Sequence, residues 1–412
     1  MAVIRPFQAV RPVKERVAEV AALPYDVYNR EEAKEAVKDK PYSFLKIDRA
    51  ETQFGDEVDT YAPCVYKKAS EIFEKMCRDG IYITEDKPCC YVYELIMNGR
   101  SQTGITACAS IDDYQKGIIK KHENTREEKE QDRIHHVDAL GAQTGPIFLA
   151  YRASAGINQV VAETKKKEAL YDFTSEDGIR HIVWKIDGVK EISFLVEEFS
   201  KINAIYIADG HHRAASAVKA GLKRRKENPD YTGKEEFNFF LSVLFPDEEL
   251  LIMDYNRTVA DLNGYSEEEF LLKLTENFVV EKKGAVPYTP EKKGSFGMYL
   301  SGSWYALAIK EGLVSKEDVV ASLDVSVLQE FLLEPVLGIK DPRTDKRIDF
   351  IGGIRGLAEL ERRADTDMKV SFSMYPTSIS ELFDVADAKR LMPPKSTWFE
   401  PKLRSGIFIH RI

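Results

Sequence analysis

The segment that most restricts the fold runs from Ile202 to Lys223. There a strongly apolar strand, Ile202 to Ala208, passes through Asp209-Gly210 straight into an alanine-rich helix. So apolar a strand belongs inside a sheet, and the helix that follows must lie back over it. Short apolar strands alternate with amphipathic helices elsewhere too, so the predicted class is α/β (α+β) with mixed sheets. A chain of 412 residues is too long for one ordinary core, so separate lobes are expected, with a cleft as the ligand site. The predicted divisions are an α/β lobe over 1–110, a catalytic core over 111–257, and an α/β lobe over 258–412 that ends in a tied-down tail.

Local signals fill in this outline. Tyr66 to Cys77 carries apolar residues at helical spacing and stops at Gly80, a suitable cap. Lys87 to Met97 and Arg100 to Ser110 flank Asn98-Gly99, a dipeptide that accepts positive φ at both turn positions, so a hairpin is expected. A helix is predicted over Arg30 to Lys38 and a strand over Ser43 to Ile47. A strand pair, Phe237 to Phe245 with Leu250 to Tyr255, is predicted around Pro246-Asp247. Thr125-Arg126-Glu127-Glu128 has the form of a capping box, which would start a helix near Arg126. In the tail, Ile407-Phe408-Ile409 reads as a docked strand.

Composition narrows the functional classes. A net charge of -9 argues against a protein that neutralises many phosphates of a nucleic acid. The five cysteines lack Cys-x-x-Cys spacing and read as free thiols, which suits a cytoplasmic location. No secretory leader is evident, and the longest apolar run, near Phe237 to Phe245, is about half what a membrane helix needs.

Chemistry concentrates at Asp209-Gly210-His211-His212-Arg213. Gly210 permits a sharp turn, and the following helix aims bare N–H groups and its positive dipole end back over the strand terminus, a ready anion site. Arg213 adds a guanidinium fork for phosphate oxygens, while His211 and His212 can donate hydrogen bonds or polarise a leaving group. Asp209 at the strand end can orient Mg²⁺ or a substrate hydroxyl. The same residues also fit a capped helix with surface histidines.

A second constellation is His122-Glu123-Asn124 followed by Arg126, Lys129, Arg133 and His136, which recur on one helical face. It supplies a carboxylate base, Glu123, and a cationic clamp in which Arg126 and Arg133 are phosphate-binding candidates; a solvated, salt-bridged helix is the alternative. Pro393 to Gly406 contains Lys395-Ser396-Thr397, which lacks the glycines of a P-loop but can close over an anion. A zinc site is disfavoured, because the histidine pairs are adjacent and no His-Glu-x-x-His is present.

These segments carry a resemblance. Arg5-Pro6-Phe7, Pro24-Tyr25-Asp26-Val27, His122-Glu123-Asn124-Thr125, Ala208 to Arg213 and the Pro393 to Gly406 tail resemble a bacterial family catalogued as a conserved domain of unknown function. The Asp-Gly-His-His-Arg segment is similar to the phosphate-binding motif of free serine kinases with a ParB/sulfiredoxin-like fold. The resemblance implies such a central domain, and phosphorylation of free L-serine to O-phosphoserine with Mg²⁺. For full-length members it implies inorganic pyrophosphate as donor, with ADP or ATP serving related kinases. In that reading Glu123 takes the hydroxyl proton and Asp209 orients metal or substrate, or the two carboxylates exchange these roles. A phosphatase or metal-dependent phosphohydrolase, and a ParB-like nucleotide-binding module without catalysis, are the rival readings.

Overall fold

The computed structural model describes residues 1–315 and 317–412. The chain forms two units, one built from residues 1–250 with 401–412 and the other from residues 251–400.

The first unit is organised on a nine-stranded mixed sheet. Its strands run in the order Ile119–Lys120, Ile205–Asp209, Ile147–Tyr151, Phe239–Pro246, Arg100–Ser110, Cys90–Met97, Arg180–Ile186 and Tyr171–Thr174, with Ile4–Arg5 pairing off this path against Arg100–Ser110. Two pairings are parallel, Ile205–Asp209 with Ile119–Lys120 and Ile147–Tyr151 with Phe239–Pro246; the others are antiparallel. One core packs the sheet against Leu195, Phe199, Ile157 and the Ala214, Ala217 and Val218 face of the helix His211–Glu227. A second core holds Phe44, Leu45, Val65, Phe73 and Tyr82 among the helices of the N-terminal hundred residues. The helix Glu127–Leu140 joins the two layers, packing on both Pro63–Arg78 and His211–Glu227.

The second unit is a six-stranded antiparallel sheet in the order Phe278–Gly284, Ser303–Ile309, Ser295–Leu300, Val370–Met374, Tyr255–Val259, Ile348–Gly352. Trp304, Tyr299 and Ile351 form a core with Leu360 and Ala364 of the helix Gly356–Thr366. Capping boxes at Ser266/Glu269 and Ser378/Glu381 start the helices Glu267–Leu274 and Ile379–Asp387.

The mixed α/β class is as expected, and the hairpin forms about Asn98 and Gly99, whose φ values are +51° and +79°. The three-lobe division differs from the observed one. Residues 90–110 are interior strands of the same sheet that holds the Ile205 strand, so no boundary falls at 110. The boundary at 257 would cut the strand Tyr255–Val259, and residues 401–412 belong to the first unit.

Three local expectations differ from the structure. Ser43 to Ile47 is not a strand; Leu45–Asp48 is a helical turn, because a short buried apolar run suits either geometry. The capping box at Thr125 does not form. The Thr125 hydroxyl bonds the Glu130 carboxylate instead, and the helix begins at Glu127 without a side-chain cap. Ile252–Met253 pairs with Trp398–Phe399 and not with Phe239–Pro246. Among the described residues no helix is long and apolar enough to cross a membrane.

Candidate functional site

The strand Ile205–Asp209 loses register against Ile147–Tyr151 between Ile207 and Asp209. Such a bulge re-aims the next side chain, here Asp209. Gly210 then turns the chain at φ +90° and ψ +33°, and the helix His211–Glu227 starts with no side chain capping it. The first-turn amides of His211, His212 and Arg213 are therefore available to an anion. A Cβ on Gly210 would lie 3.0 Å from Arg213 Nε and 3.1 Å from its Cζ and Nη2, so the turn needs glycine for conformation and for space.

Arg213 does not extend into solvent as a simple fork. Its Nη1 donates to the Pro146 carbonyl at 2.6 Å and its Nη2 lies 3.9 Å from Asp209 Oδ2. Its Nε is buried with no hydrogen-bond partner, and the side chain lines a cavity of about 40 Å³ with Tyr25, Arg133 and Ser405. A buried guanidinium nitrogen left unpaired is costly unless a ligand or water satisfies it.

Asp209 Oδ1 accepts the Gly210 N–H at 2.8 Å, and Oδ2 lies 3.2 Å from Lys402 Nζ. Burial works against ionising this carboxyl, but Lys402 and Arg213 outweigh it and hold the group well below the usual carboxylate range. So weak a base is poorly suited to taking a substrate proton near neutrality.

The two histidines of the motif take different parts. His211 is buried against His122, with ring centroids 4.5 Å apart and planes at 86°. Burial lowers both, His122 to about 4 and His211 well below its ordinary value, with His122 adding to the shift of His211. His122 Nδ1 and His211 Nε2 are buried without hydrogen-bond partners, and His211 Nδ1 lies 3.8 Å from Glu123 Oε2. His212 Nε2 accepts the Arg126 N–H at 3.1 Å, so its proton resides on Nδ1 and its ring holds the backbone just ahead of Glu127–Leu140.

Glu123 thus stands beside the corner with its side chain 48% exposed. Arg126 is near through its backbone, while its side chain is exposed. Arg133 is turned inward: it pairs with Asp132 at 2.8 Å and stacks over the Tyr25 ring at 4.0 Å. The basic stripe is therefore partly buried and faces a second pocket, of about 340 Å³, that Lys129, Arg133 and His136 line with Tyr25 and Asp26.

Lys395, Ser396 and Thr397 belong to the second unit. There the Lys395 carbonyl accepts from Arg257 at 3.0 Å and Ser396 Oγ donates to the Pro393 carbonyl at 2.6 Å. The tail residue at the corner is Lys402, which the sequence reading passed over although it lies in the Pro393 to Gly406 segment. Asp26 and the tyrosine pocket were also missed. Their only sequence signal was the Pro24 to Val27 motif.

Mg²⁺ takes oxygen ligands, usually one or two carboxylates with donor phosphates and water. Asp209, the expected metal ligand, has Oδ2 set against Lys402. Among the described residues no group of three His, Cys, Asp or Glu side chains is placed to hold a metal.

Fold and corner together define a mixed α/β protein whose main sheet presents an uncapped strand-turn-helix junction at Gly210. Residues 4–326 match the family described as "Protein of unknown function (DUF1015)", and the chain belongs to that family. No curated protein matches it. Among solved structures it is similar to a free serine kinase in complex with AMP, at 14% identity and a TM-score of 0.34, covering 74% of this chain and 91% of that one. It is also similar to a conserved hypothetical protein from Pyrococcus furiosus, at 13% identity and a TM-score of 0.35, with 74% and 95% covered. SbnI from Staphylococcus aureus, with a C-terminal truncation, is similar at 10% identity and a TM-score of 0.40, with 74% and 87% covered.

Proposed function

We propose that this protein is a small-molecule kinase that transfers a phosphoryl group from inorganic pyrophosphate, or from a nucleotide, to the hydroxyl of free L-serine, giving O-phosphoserine. The observation that carries the reading is the uncapped helix start after Gly210, with the buried Arg213 guanidinium beside it and its Nε unpartnered. The motif's resemblance to the phosphate-binding segment of free serine kinases selects the acceptor.

In this reading the terminal phosphoryl group of the donor rests on the first-turn amides of His211 to Arg213. Lys402 and Arg213, already gathered around Asp209, offset the charge that the transferred group carries. The serine hydroxyl attacks phosphorus in line, the bond from phosphorus to the bridging oxygen breaks, and inorganic phosphate leaves when pyrophosphate is the donor. The hydroxyl proton passes to Glu123, whose carboxylate is half-exposed beside the corner, with Oε2 3.8 Å from His211 Nδ1. Asp209 orients Lys402 and the Gly210 amide. Neutral His122 and His211 exclude water from the back of the corner while leaving ring nitrogens to be satisfied by substrate. Mg²⁺ bound through the donor oxygens would supply further charge neutralisation.

The test is incubation of the purified protein with Mg²⁺, L-serine and each of pyrophosphate, ATP and ADP, with O-phosphoserine quantified by mass spectrometry. Product with at least one donor is expected, and Arg213→Ala should lower kcat/KM by about a hundredfold or more. No product from any donor defeats the proposal; phosphate release without added serine would replace it with a phosphohydrolase.

A further inference from the structure

The pocket of about 340 Å³ in the first unit has tyrosine walls, from Tyr25, Tyr28, Tyr61 and Tyr66, and a mouth that carries Asp26 and Lys129. Its size is in the range of small-molecule sites. Most of its charged groups are consumed by one another. Arg49 Nε pairs with Glu51 at 2.5 Å and its Nη1 donates to the Tyr25 and Tyr28 carbonyls. Arg133 pairs with Asp132, which also accepts from Tyr66 at 3.0 Å. Asp48 accepts from Thr144 at 3.0 Å and lies 3.7 Å from His136.

Two opposite charges are left over. Among the described residues, Asp26 has no cation within ion-pair distance, and Lys129 has no carboxylate, its Nζ reaching only the Tyr61 hydroxyl at 3.2 Å. A lining with one spare anion and one spare cation is complementary to a zwitterion, and to neither a simple anion nor a simple cation. The pocket also adjoins the corner: it shares Tyr25, Asp48, Arg133 and His136 with the small cavity that Arg213 lines. Asp26 and Lys129 both act on the charge of His212, in the first turn of the corner helix.

We infer that this pocket is the binding subsite for a free α-amino acid, with Asp26 receiving the ammonium group, Lys129 receiving the carboxylate, and the side-chain hydroxyl directed toward the Gly210 corner. The inference rests on the phosphotransfer reading only for the direction of the hydroxyl. The charge match stands by itself, and it makes the pocket a filter against acceptors that lack either charged group.

Calorimetric titration without any phosphoryl donor separates the two ideas. The ligands are L-serine, ethanolamine, which lacks the carboxylate, and 3-hydroxypropanoate, which lacks the ammonium. Wild-type protein should prefer L-serine to either truncated ligand by about tenfold or more, as expected for losing a charge-assisted hydrogen bond. Asp26→Asn should weaken L-serine and ethanolamine and leave 3-hydroxypropanoate unchanged, and Lys129→Met should do the converse. Asp26 has no ion-pair partner to lose, so its variant should fold, and circular dichroism checks this. Unchanged L-serine affinity in both variants, or absence of L-serine binding to wild type, overturns the subsite. If the binding pattern appears and no donor yields phosphoserine, the kinase reading fails and the subsite stands.

Discussion

Gly210→Ala tests the corner most directly. At φ +90° an alanine is strained, which costs about 1–2 kcal/mol. The new methyl would also meet the Arg213 guanidinium at 3.0–3.1 Å. That group cannot swing away cheaply, because Nη1 is anchored on the Pro146 carbonyl at 2.6 Å; giving up a hydrogen bond of this charged kind adds about 1–2 kcal/mol. The variant should therefore unfold with a loss of about 2–4 kcal/mol in urea titrations monitored by circular dichroism. Its affinity for pyrophosphate, measured by calorimetry, should fall by about tenfold or more, because the displaced guanidinium no longer faces the helix start. A variant with stability within about 0.5 kcal/mol of wild type and unaltered pyrophosphate binding would refute both the strain argument and the anion-site assignment.

Lys402→Met should raise the Asp209 carboxyl toward its ordinary range by removing its closest cation, lower kcat/KM by about a hundredfold and add a new acidic limb to the pH–rate profile; an unshifted profile would sink the role given to this lysine. Arg404 is buried and donates to Ser175 at 3.0 Å and to the more exposed Asp177, so Arg404→Ala should cost about 1.5–3 kcal/mol by removing charge-assisted hydrogen bonds, and an unchanged thermal midpoint would show that the tail is not docked there. Acid should destabilise the fold well before its carboxylates protonate. Burial holds His122 at about 4, and burial with Arg404 holds His181 at about 3; folded values below the unfolded value of about 6.5 mean that stability present above that pH is lost as the unfolded chain takes up protons. Between pH 6.5 and 5 each such histidine removes up to about 2 kcal/mol, and a thermal midpoint that is equal at pH 7 and pH 5 would contradict this.

The parts of the site legible in the sequence are those with local causes. The Ile205 strand, the turn at Gly210 and the helix beyond follow from an apolar run, a residue free to take positive φ, and alanines small enough to lie on a sheet. The Asn98-Gly99 hairpin was legible for the same reason. Thr125 shows the limit: its capping-box pattern is intact, yet the hydroxyl bonds Glu130 and His212 supplies the contact at the helix start. Ser43 to Ile47 shows another, since burial on all sides suits a helical turn as well as a strand.

What tertiary structure alone decided is which charges meet. Lys402 reaches Asp209 across 193 residues of chain, the His122 and His211 rings meet edge to face from a loop and a helix, and Arg213 points into a cavity walled by Tyr25 and Ser405. None of these has a signature in residue spacing. Each follows from packing helices on a sheet until water is excluded, and desolvation then sets which carboxylate stays ionised and which histidines stay neutral.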